Sequence, residues 1–203
     1  MNCWERINIK FSTLEVTLND SHLHERRFHG EADRLRSAER MALFEVERVV
    51  ALSMEGLTVK SVLDVGTGTG IFAEAFSKLG LQVAGIDTNP KLLEVARGYV
   101  PGGQFRETAA EGIPFEDASF DLVFLGHVLH ETDDPLKALK EARRVAKSRV
   151  AVLEWPYRED EQAGPPLEHR LKPDVVEDLA SKAGFHKVER LQLAHMDFYR
   201  FAS

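Results

Sequence analysis

Cysteine is almost absent from this chain. Its single cysteine, Cys3, has no partner for an internal disulfide, and no local histidine or motif marks it as reactive. Long apolar runs are absent too: none approaches the roughly 18 residues that a membrane-crossing helix needs. The opening residues Met1-Asn2-Cys3-Trp4-Glu5-Arg6 lack the charged-then-apolar layout of a secretion signal. A basic excess is missing as well. The 26 Lys+Arg stand against 33 Asp+Glu, a net charge of −7, whereas non-specific nucleic-acid binding wants a basic footprint. No internal repeat or low-complexity segment is visible. These absences exclude a disulfide scaffold and disfavour secretion and membrane spanning. They fit a cytoplasmic protein with no membrane or nucleic-acid partner.

What is present is ordinary globular composition, 43% hydrophobic and 29% charged. The length of 203 residues suits one domain, large enough to bury about 70% of the unfolded chain's surface without a staple.

The patterning alternates between two periods. Ile7 to Leu18 alternates loosely and reads as a short strand or hairpin, followed by a polar arm with His22, His24 and His29. Ala32 to Met54 reads as one amphipathic helix, stopped by Gly56. Strands are then expected at Ser61–Val65, Leu81–Asp87, Gln104–Thr108, Phe120–Leu125 and Arg149–Glu154. Helices are expected between them, from Ile71, from Pro90, and from Pro135 to about Lys147. After a Pro/Gly loop and a helix from Pro173, two last strands (Phe185–Leu193, Met196–Phe201) read as an antiparallel pair. This alternation predicts an α/β fold: a doubly wound, seven-stranded, mostly parallel sheet ending in that antiparallel pair. Ligands in such sheets bind beyond the carboxyl ends of the strands.

The turn after the first strand is glycine-rich: Val62-Leu63-Asp64-Val65-Gly66-Thr67-Gly68-Thr69-Gly70. Glycines let a ligand approach the backbone, and the helix that follows offers free N–H groups. The G-x-G-x-G spacing differs from the G-x-G-x-x-G of dinucleotide sites, and no Gly-Lys-Ser/Thr closes it as a phosphate loop would. Asp87 ends the second strand, where a carboxylate can accept hydrogen bonds from both hydroxyls of a ribose.

With Asp87 and the block Ile113-Pro114-Phe115…Ser119-Phe120-Asp121, this loop resembles class I S-adenosylmethionine-dependent methyltransferases. The nearest flavour is the small-molecule branch that includes ubiquinone/menaquinone-biosynthesis-like enzymes. The resemblance runs from about Val59 to Leu193 and is specific for the cofactor, not for the methyl acceptor. It implies a Rossmann-like core over residues 56–203, with residues 1–55 as an arm and helix covering the cofactor site. It implies that Gly66, Thr67, Gly68 and Gly70 line the methionine and ribose end. Asp64 would orient the ammonium, Asp87 would hold the ribose, and Thr88 would lie against the adenine. Ala110 would meet the adenine edge through its N–H, with Glu111 beside it, and Leu125, Gly126 or His127 would approach the methionine. Two departures stand out: Ala109 replaces a frequent acid, and Lys147-Ser148-Arg149 replaces the usual Pro-Gly-Gly turn.

Three histidines are candidate catalytic groups. His127 and His130 follow the fourth strand, where a histidine can take a proton from an acceptor near neutral pH. His127 is the stronger candidate on position alone. His169, with Arg170, lies in Gly164-Pro165-Pro166-Leu167-Glu168-His169-Arg170; the pair would bind an anionic acceptor or act on it, or else belong to a proline-stiffened loop with an Arg–Glu pair. The layout of Trp155 and this segment resembles a subgroup of small prokaryotic methyltransferases. No metal is expected, since His22, His24 and His29 lack a known ligand spacing. The expected activity is methyl transfer to a small molecule by a monomer or homodimer. The alternatives are a nucleic-acid or protein methyltransferase, and a non-catalytic S-adenosylmethionine-binding module. The Asn/Asp-Pro-Pro-Tyr/Phe motif of nucleic-acid amino methyltransferases is replaced here by Leu125-Gly126-His127-Val128.

Overall fold

The computed structural model describes residues 35–202. The expected strand at Ile7–Leu18, the arm with His22, His24 and His29, and Cys3 lie outside the described residues. Within them, seven strands form one sheet in the order β3-β2-β1-β4-β5-β7-β6. These are β1 (Ser61–Val65), β2 (Gln82–Asp87), β3 (Gln104–Glu107), β4 (Phe120–Gly126), β5 (Ala146–Glu154), β6 (Lys187–Gln192) and β7 (Asp197–Ala202). The first five pair in parallel; β7 runs antiparallel to β5 and β6. Strand order reverses between β1 and β4, so a crevice opens there at the carboxyl ends.

The parallel strands read as apolar runs because both faces are covered. Val62, Leu122 and Phe124 face one core with α2 (Val46–Met54), α3 (Ile71–Lys78) and α4 (Pro90–Tyr99). Leu63, Val65, Val123 and Leu125 face the other, with α5 (Pro135–Val145) and α6 (Pro173–Lys182). Helix starts follow local chemistry. Asn89 caps α4 ahead of Pro90, and the Asp134 side chain accepts from the Lys137 N–H ahead of α5.

Two expectations need correction. The helix expected over Ala32–Met54 is two helices, α1 (Ala38–Phe44) and α2, broken at Glu45 in the left-handed region (φ 44°, ψ 47°). A distant contact helps to set this: Glu45 Oε1 accepts from the Ala194 N–H at 3.1 Å, while Oε2 accepts from nearby Arg48 at 2.6 Å. Strand β5 starts at Ala146 rather than Arg149, because α5 passes directly into it with no turn. Among the described residues, no helix is long and apolar enough to cross a membrane.

Candidate active site

A cleft of about 810 Å3 opens over the carboxyl ends of β1, β2, β4 and β5. Its size falls in the roughly 300–1,000 Å3 range of small-molecule sites. The glycine loop forms one side. Thr67 N–H donates to the Ile86 carbonyl (2.9 Å), and Gly68 N–H donates to Asp87 Oδ2 (2.8 Å), so the loop is pinned to the end of β2. Gly66 has φ +67°, and a Cβ there would lie 2.6 Å from Val128 Cγ2, so no other residue fits unstrained.

Two carboxylates face this loop. Asp64 is buried at 2% exposure; its Oδ2 accepts from Thr67 Oγ1 (2.7 Å) and the Ala73 N–H (3.2 Å). Burial pushes its pKa up to about 7 against those bonds. Asp87 accepts from Gly68 on Oδ2 and from the Asn89 N–H on Oδ1 (2.8 Å). Burial raises its pKa too, opposed by the backbone N–H groups of Asn89, Gly68 and Thr88. Thr88 lines the cleft, and an adjoining chamber of about 80 Å3 is lined by Thr88, Thr108, Ala110 and Val128.

Three residues expected at the cofactor lie off the cleft. Leu125 is fully buried in the core beneath the sheet. Gly70 opens α3 and packs against Ala96 of α4. Glu111 turns away, its Oε1 accepting from the N–H groups of Asp133 (2.9 Å) and Asp134 (3.2 Å) ahead of α5. The negative charge favoured at a helix N-terminus accounts for that choice.

The opposite side of the cleft carries the three histidines. His127 has φ +58° and donates its N–H to the Leu153 carbonyl (2.8 Å). Its ring stacks on Phe44 at 4.4 Å and tilts against Trp155 at 5.0 Å. Both ring nitrogens are buried with no hydrogen-bond partner among the described residues. Burial, then the neighbouring His130 and Arg40, hold its pKa well below the ordinary value, so the ring is neutral. His130, by contrast, sits in the 3-10 turn Leu129–Glu131 with Nδ1 2.6 Å from Glu154 Oε2. Burial opposes its charged form, but Glu154 and Glu131 outweigh that and raise its pKa. The two histidines thus sit in opposite surroundings, His127 among aromatic rings and His130 against a carboxylate.

His169 reaches the cleft, but Arg170 does not act on it as expected. Arg170 is buried, and all its guanidinium donors go to carbonyls of the preceding loop. Nε donates to Pro165 (2.8 Å), Nη1 to Pro156 and Arg158, and Nη2 to Glu161 and Ala163 (2.8 Å). Among the described residues it has no carboxylate partner, and its donors gather the loop that overhangs the cleft. Gly164 makes that loop fit: at φ +91°, a Cβ would lie 2.4 Å from the Trp155 ring.

Sequence reasoning missed the Glu154 partnership and the part that Arg36 plays. Arg36 donates to the Thr69 carbonyl (2.7 Å) and pairs with Glu74, holding Leu35 over the glycine loop. Among the described residues, no three metal-ligating side chains converge.

A family described as "Methyltransferase domain" matches residues 63–153. The demethylmenaquinone methyltransferase of Chlorobaculum tepidum is 39% identical over 95 residues, spanning 46% of this chain and 39% of that protein. The enzyme of the same name from Thermotoga maritima is 35% identical over 112 residues, spanning 53% and 48%. The chain thus spans less than half the length of these relatives. A crystal structure of a SAM-dependent methyltransferase from Aquifex aeolicus superposes with a TM-score of 0.75 at 28% identity, covering 84% of this chain and 95% of that one. The residues present suit S-adenosylmethionine: a loop with no room for a Cβ at Gly66, two carboxylates facing it, and a cleft of fitting size. By sheet order, glycine loop and these matches, the chain has the fold of the class I S-adenosylmethionine-dependent methyltransferases and is similar to them in sequence.

Proposed function

We propose that this chain transfers a methyl group from S-adenosylmethionine to a small-molecule acceptor. The observation that carries the reading is one continuous cleft joining the glycine loop and Asp87 to His130 and His169. The net charge of −7 and the similarity to enzymes named for demethylmenaquinone favour a small molecule over a nucleic acid.

When bound, the cofactor supplies an electrophilic methyl group on a sulfonium. The chain's residues bind and orient. Asp87 accepts from the ribose hydroxyls while the Gly68 and Asn89 N–H groups hold its carboxylate still. Asp64 faces the ammonium group. Gly66, Thr67 and Gly68 present backbone, and Thr88 and the Ala110 N–H meet the adenine from the small chamber. Leu35 covers this side of the cleft, in keeping with a covering role for residues 1–55 and a donor-binding core over residues 56–203. The loop after β5 closes the acceptor side. Such positioning supplies most of the rate in a transfer of this kind. The single cysteine is in keeping with a cytoplasmic setting, with the chain acting as a monomer or homodimer.

Calorimetry tests this reading. S-adenosylmethionine binds the intact chain, and Asp87→Ala or Gly68→Val weakens binding about a hundredfold: the first removes the carboxylate at the ribose, and the second puts a branched side chain at φ +51° beneath Leu35. Unaltered affinity in both variants refutes the site. Release of S-adenosylhomocysteine with a panel of small acceptors separates transfer from mere binding.

A further inference from the structure

We infer that His130 and Glu154 form a proton-accepting pair for one class of acceptor, a hydroxyarene: a flat apolar ring bearing a phenolic hydroxyl. This rests on the methyl-transfer reading above and specifies its acceptor side.

Glu154 ends β5 at 2% exposure, a costly place for a carboxylate unless it is well bonded. Its Oε1 accepts from the N–H groups of Leu129 (2.8 Å) and His130 (3.3 Å), and its Oε2 meets His130 Nδ1 at 2.6 Å. Among the described residues the nearby cation Arg170, from the overhanging loop, does not compete for it, having its donors on carbonyls. The carboxylate thus keeps a proton on Nδ1 and leaves Nε2 as the nitrogen facing the cleft. Glu131 Oε1 stands 3.8 Å from Nε2, beyond hydrogen-bond reach. The charged and titratable groups around the ring are Glu154 from β5, Glu131 from its own turn, Arg170 from the loop, and neutral His127 from the end of β4. A carboxylate that fixes the tautomer of a histidine and stabilises its imidazolium is the arrangement of a general base.

The cleft walls choose the acceptor's body. Phe44, Phe72, Trp155, Pro165 and Pro166 line the space around the pair. Phe44 and Trp155 are nearly fully buried and locked against His127, so this wall is rigid and suits a flat apolar ring. The base chooses the hydroxyl. An imidazole base is far better matched to a phenolic O–H, which ionises near about 10, than to an aliphatic alcohol. In the step, the hydroxyl proton passes to Nε2 and the oxygen keeps the electron pair. That pair forms the new O–CH3 bond. The bond from the methyl carbon to the donor sulfur breaks, its pair stays on sulfur, and the sulfonium becomes a thioether. The imidazolium later returns its proton to water.

The test uses the full chain loaded with S-adenosylhomocysteine, with 4-nitrophenol as probe because its anion absorbs visible light. At a pH about one unit below the probe's own midpoint, the wild type binds it as the anion. His130→Gln binds it neutral. Glu154→Gln keeps the backbone hydrogen bonds but lowers the basicity of His130, reducing the anion-to-neutral ratio about tenfold. Nitrogen-15 spectra of the wild type show His130 protonated on Nδ1, with a titration midpoint that falls in Glu154→Gln. No probe binding to the loaded wild type overturns the acceptor class. An anion band unchanged in His130→Gln overturns the base, and a midpoint unchanged in Glu154→Gln overturns the positioning role. Should the variants fail to fold, a wild-type His130 carrying its neutral-form proton on Nε2 refutes the pair alone. Calorimetry of S-adenosylhomocysteine on the same samples separates the two readings: failure to bind it sinks the methyl-transfer proposal, whereas binding with an unchanged band sinks only this one.

Discussion

Asp64→Asn isolates one buried carboxyl whose ionisation the fold resists. The ordinary aspartate pKa of 3.8 rises to about 7 in the folded chain, with burial as the leading cause. Below pH 3.8 the group is protonated in both states and carries no penalty. As pH rises through the window from 3.8 to about 7, the unfolded chain releases its proton and the folded chain does not, so stability falls. Above that window both states are ionised and the loss is constant, on the order of 4 kcal/mol. Between about pH 5 and 7 alone the loss is about 2 kcal/mol, worth about 4–8 °C in Tm for a chain of this size. Asparagine retains an oxygen to accept from Thr67 and Ala73, so the variant keeps the bonds and loses the titration. The assay is thermal melting of the cofactor-free protein at several pH values, wild type minus variant. Subtraction matters because carboxylates such as Asp121 and Glu141, held below their ordinary pKa, act in the opposite direction. The wild type should lose stability relative to the variant as pH rises through this window, then run parallel to it. An ammonium bound beside Asp64 favours the ionised form, so wild-type affinity for S-adenosylmethionine should climb as much as about tenfold per pH unit below 7 and level off above it. A melting difference that does not change with pH, together with equal affinity at pH 6 and 8, refutes the reasoning.

Two further substitutions probe the walls of the cleft. Gly66→Ala forces a positive φ on alanine and a 2.6 Å approach to Val128; it should cost about 2–4 kcal/mol by melting, and adding Val128→Ala should recover only the clash. Equal recovery to wild type would show that the backbone strain is absent. Arg170→Leu strips the loop carbonyls of their donor. Limited proteolysis between residues 156 and 165 should accelerate strongly while S-adenosylmethionine affinity holds; cleavage at the wild-type rate would mean that the loop is held by something else.

The donor half of the site was legible because its determinants are local. A glycine run between an apolar strand and an amphipathic helix dictates the loop, and a strand ending in Asp87 places the second carboxylate beside it. The parallel strands were legible for a related reason: with both faces covered, they carry uninterrupted apolar residues. The helix break at Glu45 was not, since an N–H from Ala194, far along the chain, helps to set it. Nor was the start of β5, because Lys147-Ser148-Arg149 has turn-like composition yet enters the sheet edge-on beside β4. Leu125 and Glu111 show the limit of carrying roles along a motif. The position after a strand fixes where a side chain begins, while the alternation of faces and a nearby helix terminus decide where it goes.

The acceptor half depends on sheet pairing rather than on spacing. Glu154 ends β5 and His130 lies in the turn after β4, and they meet only because β4 and β5 are neighbours, with Gly126 level with Leu153. The same adjacency sets Trp155 against His127 and, through the break at Glu45, brings Phe44 down onto both rings. On the proposed function, acceptor choice would reside in three pieces distant in sequence: α1, the turn after β4, and the loop gathered by Arg170. Phe44 and Trp155 in these pieces pack on His127 and on each other, whereas Val128 of the turn packs on Gly66. That separation predicts that substitutions at Phe44 or Trp155 shift acceptor preference while leaving S-adenosylmethionine affinity nearly unchanged, measurable as KM for the acceptor against the calorimetric Kd for the donor. Parallel loss of both would mean that the two halves of the cleft are a single recognition unit.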